Sequence, residues 1–159
     1  MQIEDVLHSD LAEILALNES EVPQVGKVDI ERMHWFAENA TYFRVAKIDN
    51  ELGAFLIGLR PGTSYQSTNY RWFCDRYKDF AYVDRIAVAA SGRRLGLATS
   101  LYDDFAAAMP TSVDVMTCEV NIRPPNKASM DFHTRLGFRE VGTLTSDDDK
   151  KVALLLKEL

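Results

Sequence analysis

The stretch Ile86-Ala87-Val88-Ala89-Ala90-Ser91-Gly92-Arg93-Arg94-Leu95-Gly96-Leu97-Ala98-Thr99 reads as a strand, a short basic turn with glycines, and the opening of a helix. Successive main-chain N–H groups at such a turn, together with a helix N-terminus, form a place for a phosphate or pyrophosphate. Gly96 and the small Ala98 let the backbone approach an anion, and Arg93 and Arg94 add charge with paired donors. No Gly-Lys-Ser/Thr follows the turn, so it is not a P-loop, and no G-x-G-x-x-G follows the first strand as a dinucleotide site requires. Taken alone, Arg-x-x-Gly-x-Ala is as compatible with a tight strand-to-helix turn carrying solvated arginines. Cys118 sits in the apolar run Val115-Met116-Thr117-Cys118 and reads as a buried thiol rather than a nucleophile. His8, His34 and His133 have no ligand spacing between them, so no metal site is expected.

The elements that must carry these residues follow from periodicity and turn chemistry. Gln2 to Leu7 predicts a short strand, and Asp10 predicts a cap for a helix bearing Leu11, Ile14 and Leu15, with Glu13 at the capping-box position. A second helix is expected from Asp29 to Asn39, then a hairpin of Tyr42 to Ile48 and Leu52 to Leu59 about Asp49-Asn50. Pro61 to Thr68 reads as a polar loop that leads into an aromatic-rich piece ending at Phe80. Ala81 to Ala89 is expected as a strand, Gly96 to Met109 as a helix and Val113 to Val120 as a strand. Asn126 predicts the cap of a helix ending at Leu136, with Gly137 in the left-handed position after it. Phe138 to Leu144 and Val152 to Leu156 then close the chain as strands about the turn Asp147 to Lys150. This order predicts one domain over residues 1–159 with a mixed α/β sheet.

Arg93-Arg94-Leu95-Gly96-Leu97-Ala98 resembles the Arg/Gln-x-x-Gly-x-Gly/Ala signature of the GNAT superfamily of N-acetyltransferases. Downstream, the segment from Asn126-Lys127-Ala128 to Phe132-His133-Thr134-Arg135-Leu136-Gly137-Phe138 resembles that family's second motif, an Asn-x-Ala helix ending in Phe-Tyr-x-x-Leu-Gly-Phe. Two motifs in the right order are far more specific than either alone. The segments Asn69 to Phe73, Tyr82 to Arg85 and Cys118 to Asn121 are similar to those of a little-characterised, bacterial-type subgroup. The resemblance implies a mixed, mostly antiparallel twisted sheet with helices on both faces and a V-shaped splay between the two central strands.

It also implies acetyl-CoA as co-substrate, with no metal. Main-chain groups of Ile86 and Val88 would pair with the pantetheine amides as an added strand does. The turn comprising Arg93, Arg94, Leu95, Gly96, Leu97, Ala98 and Thr99 would hold the pyrophosphate, and Asn126 would bond near the pantetheine end. The implied chemistry is direct attack of an amine on the thioester, which needs a base for the amine and benefits from a proton donor to the leaving thiolate. Glu119 is the first candidate base, equally readable as a strand carboxylate paired with a cation; Asp84 is the second, and reads more readily as half of an ion pair with a nearby Arg. His133 departs from the pattern, standing where the family usually offers a tyrosine as proton donor. A protonated imidazole would be the stronger acid; the alternative is a surface histidine outside the chemistry. The acceptor would lie against Asn18 to Val25 and Ser64 to Phe80, with Asn18, Asn69, Tyr70, Trp72 and Asn121 as candidate contacts; any single aromatic of the second piece reads more readily as packing a cover over the sheet.

Composition narrows the field further. The chain has 159 residues, 47% of them hydrophobic, and 18 Lys+Arg against 24 Asp+Glu give a net charge of −6. An acidic chain is a poor nucleic-acid binder and mildly favours a cationic acceptor. The two cysteines, Cys74 and Cys118, suit a reducing cytoplasm, and neither a signal peptide nor a membrane span is expected. The leading expectation is an N-acetyltransferase acting on a primary amine of a small molecule, amino acid or peptide. The alternative is a non-catalytic acyl-CoA-binding or regulatory module. Homodimerisation is compatible with either.

Overall fold

A computed structural model describes all 159 residues and resolves the chain into two compact units, residues 1–59 with 83–108 and residues 60–82 with 109–159. In the first unit, β1 (Gln2–Asp5) pairs antiparallel with β2 (Tyr42–Ile48), and β2 with β3 (Glu51–Leu59). Asp49 and Asn50 turn the hairpin with positive φ of 52° and 64°, the left-handed pair that matches the twist of the flanking strands. Helices α1 (Leu11–Ser20), α2 (Ile30–Asn39) and α4 (Leu97–Ala108) belong to this unit, and α3 (Thr68–Arg76) to the other. Ile14, Met33, Phe36, Val45, Phe55, Leu101 and Phe105 are among its fully or almost fully buried side chains. Arg44 bridges Asp5 at 2.9 Å and Asp104 at 2.7 Å, and Asp104 also accepts from the Tyr42 hydroxyl at 2.8 Å. Burial, then that hydrogen bond to Asp104, pushes the Tyr42 phenol far above its ordinary range.

The second unit contains β5 (Val115–Arg123), α5 (Lys127–Leu136), β6 (Arg139–Thr145) and β7 (Lys151–Glu158). β7 lies between β5 and β6, antiparallel to both. β4 (Ala81–Val88) belongs to both units: Ala81 and Tyr82 pair in parallel with Met116 and Thr117, and its remaining residues fall in the first unit. The strand order is β1-β2-β3-β4-β5-β7-β6, the mixed and mostly antiparallel sheet expected from the sequence. α5 begins at the Asn126 cap, whose side chain accepts from the Ser129 N–H, and ends at Gly137 with φ +99°. No helix is long and apolar enough to cross a membrane.

One expectation needs correction. Asp10 makes no side-chain cap for α1, because it closes a 3₁₀ turn (His8–Asp10) in helical geometry. Its carboxylate instead accepts from the Leu7 N–H at 2.8 Å and faces Lys47 at 3.5 Å. The aromatic-rich piece before β4 contains the helix α3, capped by the Ser67 side chain, with Tyr70 and Phe73 buried on one face.

In the first unit, β3 passes close beneath α4 at Gly58, where a Cβ would lie 2.3 Å from the Phe105 ring. That ring is fully buried and has no free side to move into. Gly58→Ala is therefore expected to destabilise the protein by about 1–3 kcal/mol, read as a lower urea midpoint with unchanged slope.

Candidate active site

The turn after β4 is built to expose its main-chain N–H groups. The Ala89 N–H donates to Gly53 O at 2.8 Å, and a 3₁₀ turn follows over Ala90–Gly92. Arg94 and Gly96 then take positive φ of 63° and 75° on either side of Leu95, an alternation that turns successive N–H groups toward one concavity. The Ser100 N–H donates to Gly96 O at 3.0 Å, which leaves the N–H groups of Leu97, Ala98 and Thr99 without a partner in their own helix. Beyond its own chain neighbours, no protein atom lies within 4 Å of where a Gly96 Cβ would be. Residues 93–96 are exposed, Leu95 at 56%. Arg93 pairs with Glu21 at 3.0 Å, while Arg94 keeps its guanidinium in solvent without an ion-pair partner. The donors and the free cation fit a pyrophosphate.

Upstream on β4, Ile86 and Val88 are half-buried. Asp84 pairs with Arg85 at 2.8 Å, the two side chains only 4% and 8% exposed. Arg85 also donates to Asn18 Oδ1 at 3.1 Å and to Gly26 O at 2.9 Å, and its guanidinium lies over the Phe36 ring. Asp84 is thus one half of a buried ion pair. Asn18 is fully buried and donates its Nδ2 to Gly26 O at 3.1 Å, so both ends of its amide hold the chain between α1 and α2. The expected acceptor contact at Asn18 is not available, because its polar atoms are already committed.

In the second unit, Glu119 is half-buried on β5 and accepts from the Tyr82 hydroxyl at both carboxylate oxygens, at 2.9 and 2.8 Å. Cys118 is buried beside it, and desolvation, reinforced by the Glu119 charge, pushes its thiol well up. The hydroxyl of Thr117, paired across from Tyr82, is buried without a protein partner. Asn121 and Asn126 line a cavity of about 300 Å³ together with Ile122, Pro125, Met130 and Asp131. Asn126 Oδ1 is taken by the α5 cap at 3.2 Å, so its amide has donors left to offer and one acceptor engaged.

Two further expectations change here. His133 is not a surface residue: it is 4% exposed, and its Nδ1–H donates to Ser129 O at 2.7 Å. Phe132 and Phe138 pack edge-on against its ring, and desolvation lowers its pKa below the ordinary value. A neutral imidazole at pH 7 lacks the acidity that made it a candidate donor. Tyr70 is fully buried, and its hydroxyl donates to Arg60 O at 2.8 Å. Trp72 packs over Gly142 of β6 and under the Arg76 guanidinium, and Asn69 is half-buried on the same helix. The Tyr82 hydroxyl is the group that sequence patterning missed; it meets a residue 37 positions away through strand pairing alone.

The model of the acetyltransferase (GNAT) family matches residues 9–138, which include the turn, Glu119 and all of α5. The chain belongs to the GNAT acetyltransferase family. No curated protein sequence matches it. Among solved structures, this GNAT chain is similar to ribosomal-protein-alanine N-acetyltransferase from Brucella melitensis, at 21% identity, 100% coverage of each chain and a TM-score of 0.74. Ard1 from Thermoplasma volcanium aligns at 14% identity over 99% of this chain and 97% of its own, with a TM-score of 0.79. YncA from Salmonella typhimurium, solved with its cofactor acetyl-CoA, aligns at 16% identity over 100% of this chain and 94% of its own, with a TM-score of 0.67. At these identities the likeness is one of fold.

Buried neutral His133 links the stability of this GNAT domain to pH. Its folded pKa lies below the unfolded value of about 6.5, so its stabilising contribution is complete above that pH and is lost as pH falls toward the folded pKa. Urea midpoints measured between about pH 7.5 and about 5.5 should fall more steeply for wild type than for His133→Phe. Parallel curves would show that the imidazole is protonated as readily in the folded state as in the unfolded one.

Proposed function

We propose that the protein transfers the acetyl group of acetyl-CoA to a primary amine of a small molecule, amino acid or peptide, with Glu119 as the base. The turn from Arg93 to Thr99 carries this reading: alternating positive φ at Arg94 and Gly96, helix N–H groups without intrahelical partners, and a free guanidinium at Arg94. These groups would hold the pyrophosphate, while main-chain groups of Ile86 and Val88 would pair with the pantetheine amides. Asn126 would contribute through its amide N–H. Acetyl-CoA supplies a thioester whose acyl carbon is open to an amine.

An amine is mostly protonated at neutral pH, so the chain must supply a proton acceptor. Glu119 is a half-buried carboxylate already oriented by one hydroxyl, and it takes the amine's proton directly or through one water. Asp84 is held to Arg85 and serves the architecture rather than the proton. His133, buried and neutral, takes no part in proton transfer in this reading. Charge favours a cationic acceptor. The first unit carries fourteen Asp+Glu against seven Lys+Arg, and the second ten against eleven. The net negative charge is therefore that of residues 1–59 and 83–108, which contain α1 and α2.

Thiol release from acetyl-CoA, followed with an alanine-starting tetrapeptide, free amino acids and spermidine, tests the reading. Amine-dependent release is expected, with Glu119→Gln lowering kcat about 100-fold and leaving the acetyl-CoA KM within about twofold. Binding of acetyl-CoA without turnover on any amine would instead favour the non-catalytic module. Gly96→Val forces a β-branched residue into φ +75° and is expected to weaken acetyl-CoA binding about tenfold by calorimetry. Unchanged affinity would remove the turn from the cofactor site.

A further inference from the structure

We infer that Tyr82 is the positioning residue for Glu119, and that the α3 excursion exists in this chain to hold Tyr82 rather than to line an acceptor pocket. The inference rests on the reading of Glu119 as the base. Parallel pairing sets Tyr82 opposite Thr117, and Glu119, two residues further along β5, projects from the same face. The single Tyr82 hydroxyl spans both carboxylate oxygens, which fixes the carboxylate's tilt as well as its position. A neutral donor suits the task, since it orients the anion without the large loss of basicity that a guanidinium would bring.

Tyr82 is itself fully buried, with its ring 5.5 Å from that of Tyr70 and 5.9 Å from that of Phe73, both on α3. The helix is anchored in turn. Tyr70 donates to Arg60 O at 2.8 Å and accepts from the Thr63 hydroxyl at 3.0 Å. Arg60 then grips Asp79 with two bonds, of 2.6 and 3.3 Å, across the two ends of the excursion. The buried aromatics of this segment thus form a continuous backing that ends at the hydroxyl on Glu119. Around that carboxylate, β7 places apolar Leu154 opposite, flanked by Val152 and Leu156, and Cys118 lies next to it on β5 with its thiol held protonated by burial.

A hydrogen bond to the charged form of a carboxylate lowers its pKa. Tyr82→Phe removes one oxygen and keeps the packed ring. Titration of the Glu119 side-chain carbon by ¹³C NMR in the full chain should move to higher pH in this variant, and kcat on the amine panel should fall about tenfold with the acetyl-CoA KM unchanged. Site-specific 3-fluorotyrosine at position 82, a stronger donor with the same ring, should move the titration to lower pH and still report if the phenylalanine variant does not fold. A Glu119 titration that stays in place in these variants overturns the inference, as does a loss of rate accompanied only by a loss of stability. The two readings separate cleanly. Full activity in Glu119→Gln removes the base itself, whereas an inactive Glu119→Gln beside an unmoved Glu119 titration removes only the role of Tyr82.

Discussion

A guanidinium taken out of water must find partners for its charge and its donors, and Arg85 imposes that requirement on much of the first unit. Its side chain is 8% exposed, and its needs are met by Asp84 on its own strand, by Asn18 at the end of α1, by the Gly26 carbonyl and by the face of Phe36 on α2. Breaking one partner of such a buried pair typically costs about 3–5 kcal/mol, because the remaining charge is stranded. One side chain therefore ties the connection between α1 and α2 to β4. It also holds two residues that the sequence offered for chemistry, Asp84 and Asn18.

β4 joins these parts in chain order. The Tyr82 hydroxyl bonds a carboxylate, Asp84 and Arg85 lock the helical connection, and the turn beyond opens its N–H groups. Alternation along the strand sets Arg85 on the face opposite to Tyr82, Asp84, Ile86 and Val88. The chemistry proposed for Glu119 then needs only a second strand, β5, in fixed register with the first two residues of β4.

Local signals made the hairpin at Asp49-Asn50, the capped helix α5 and the basic glycine turn legible in the sequence, because each is decided within a few residues. What escaped was decided at longer range. Asp10 is chemically fit to cap α1, but the preceding 3₁₀ turn had already placed it in helical geometry. Asn18 and Tyr70 are polar residues whose side-chain polar atoms each find a partner inside, a circumstance residue type cannot announce. His133 occupies a motif position that left surface and site both open, and its burial between Phe132 and Phe138 was set by packing. The contact between Tyr82 and Glu119 depends on the register of two parallel strands, which no local pattern encodes.

Trp72 lies so close over Gly142 that a Cβ there would stand 2.6 Å from the indole. The glycine on β6 and the tryptophan on α3 are therefore one structural decision written at two distant places in the chain. A side chain at position 142 would force this indole to shift from its present seat. The seat of the helix is thus set in part by a strand it never joins.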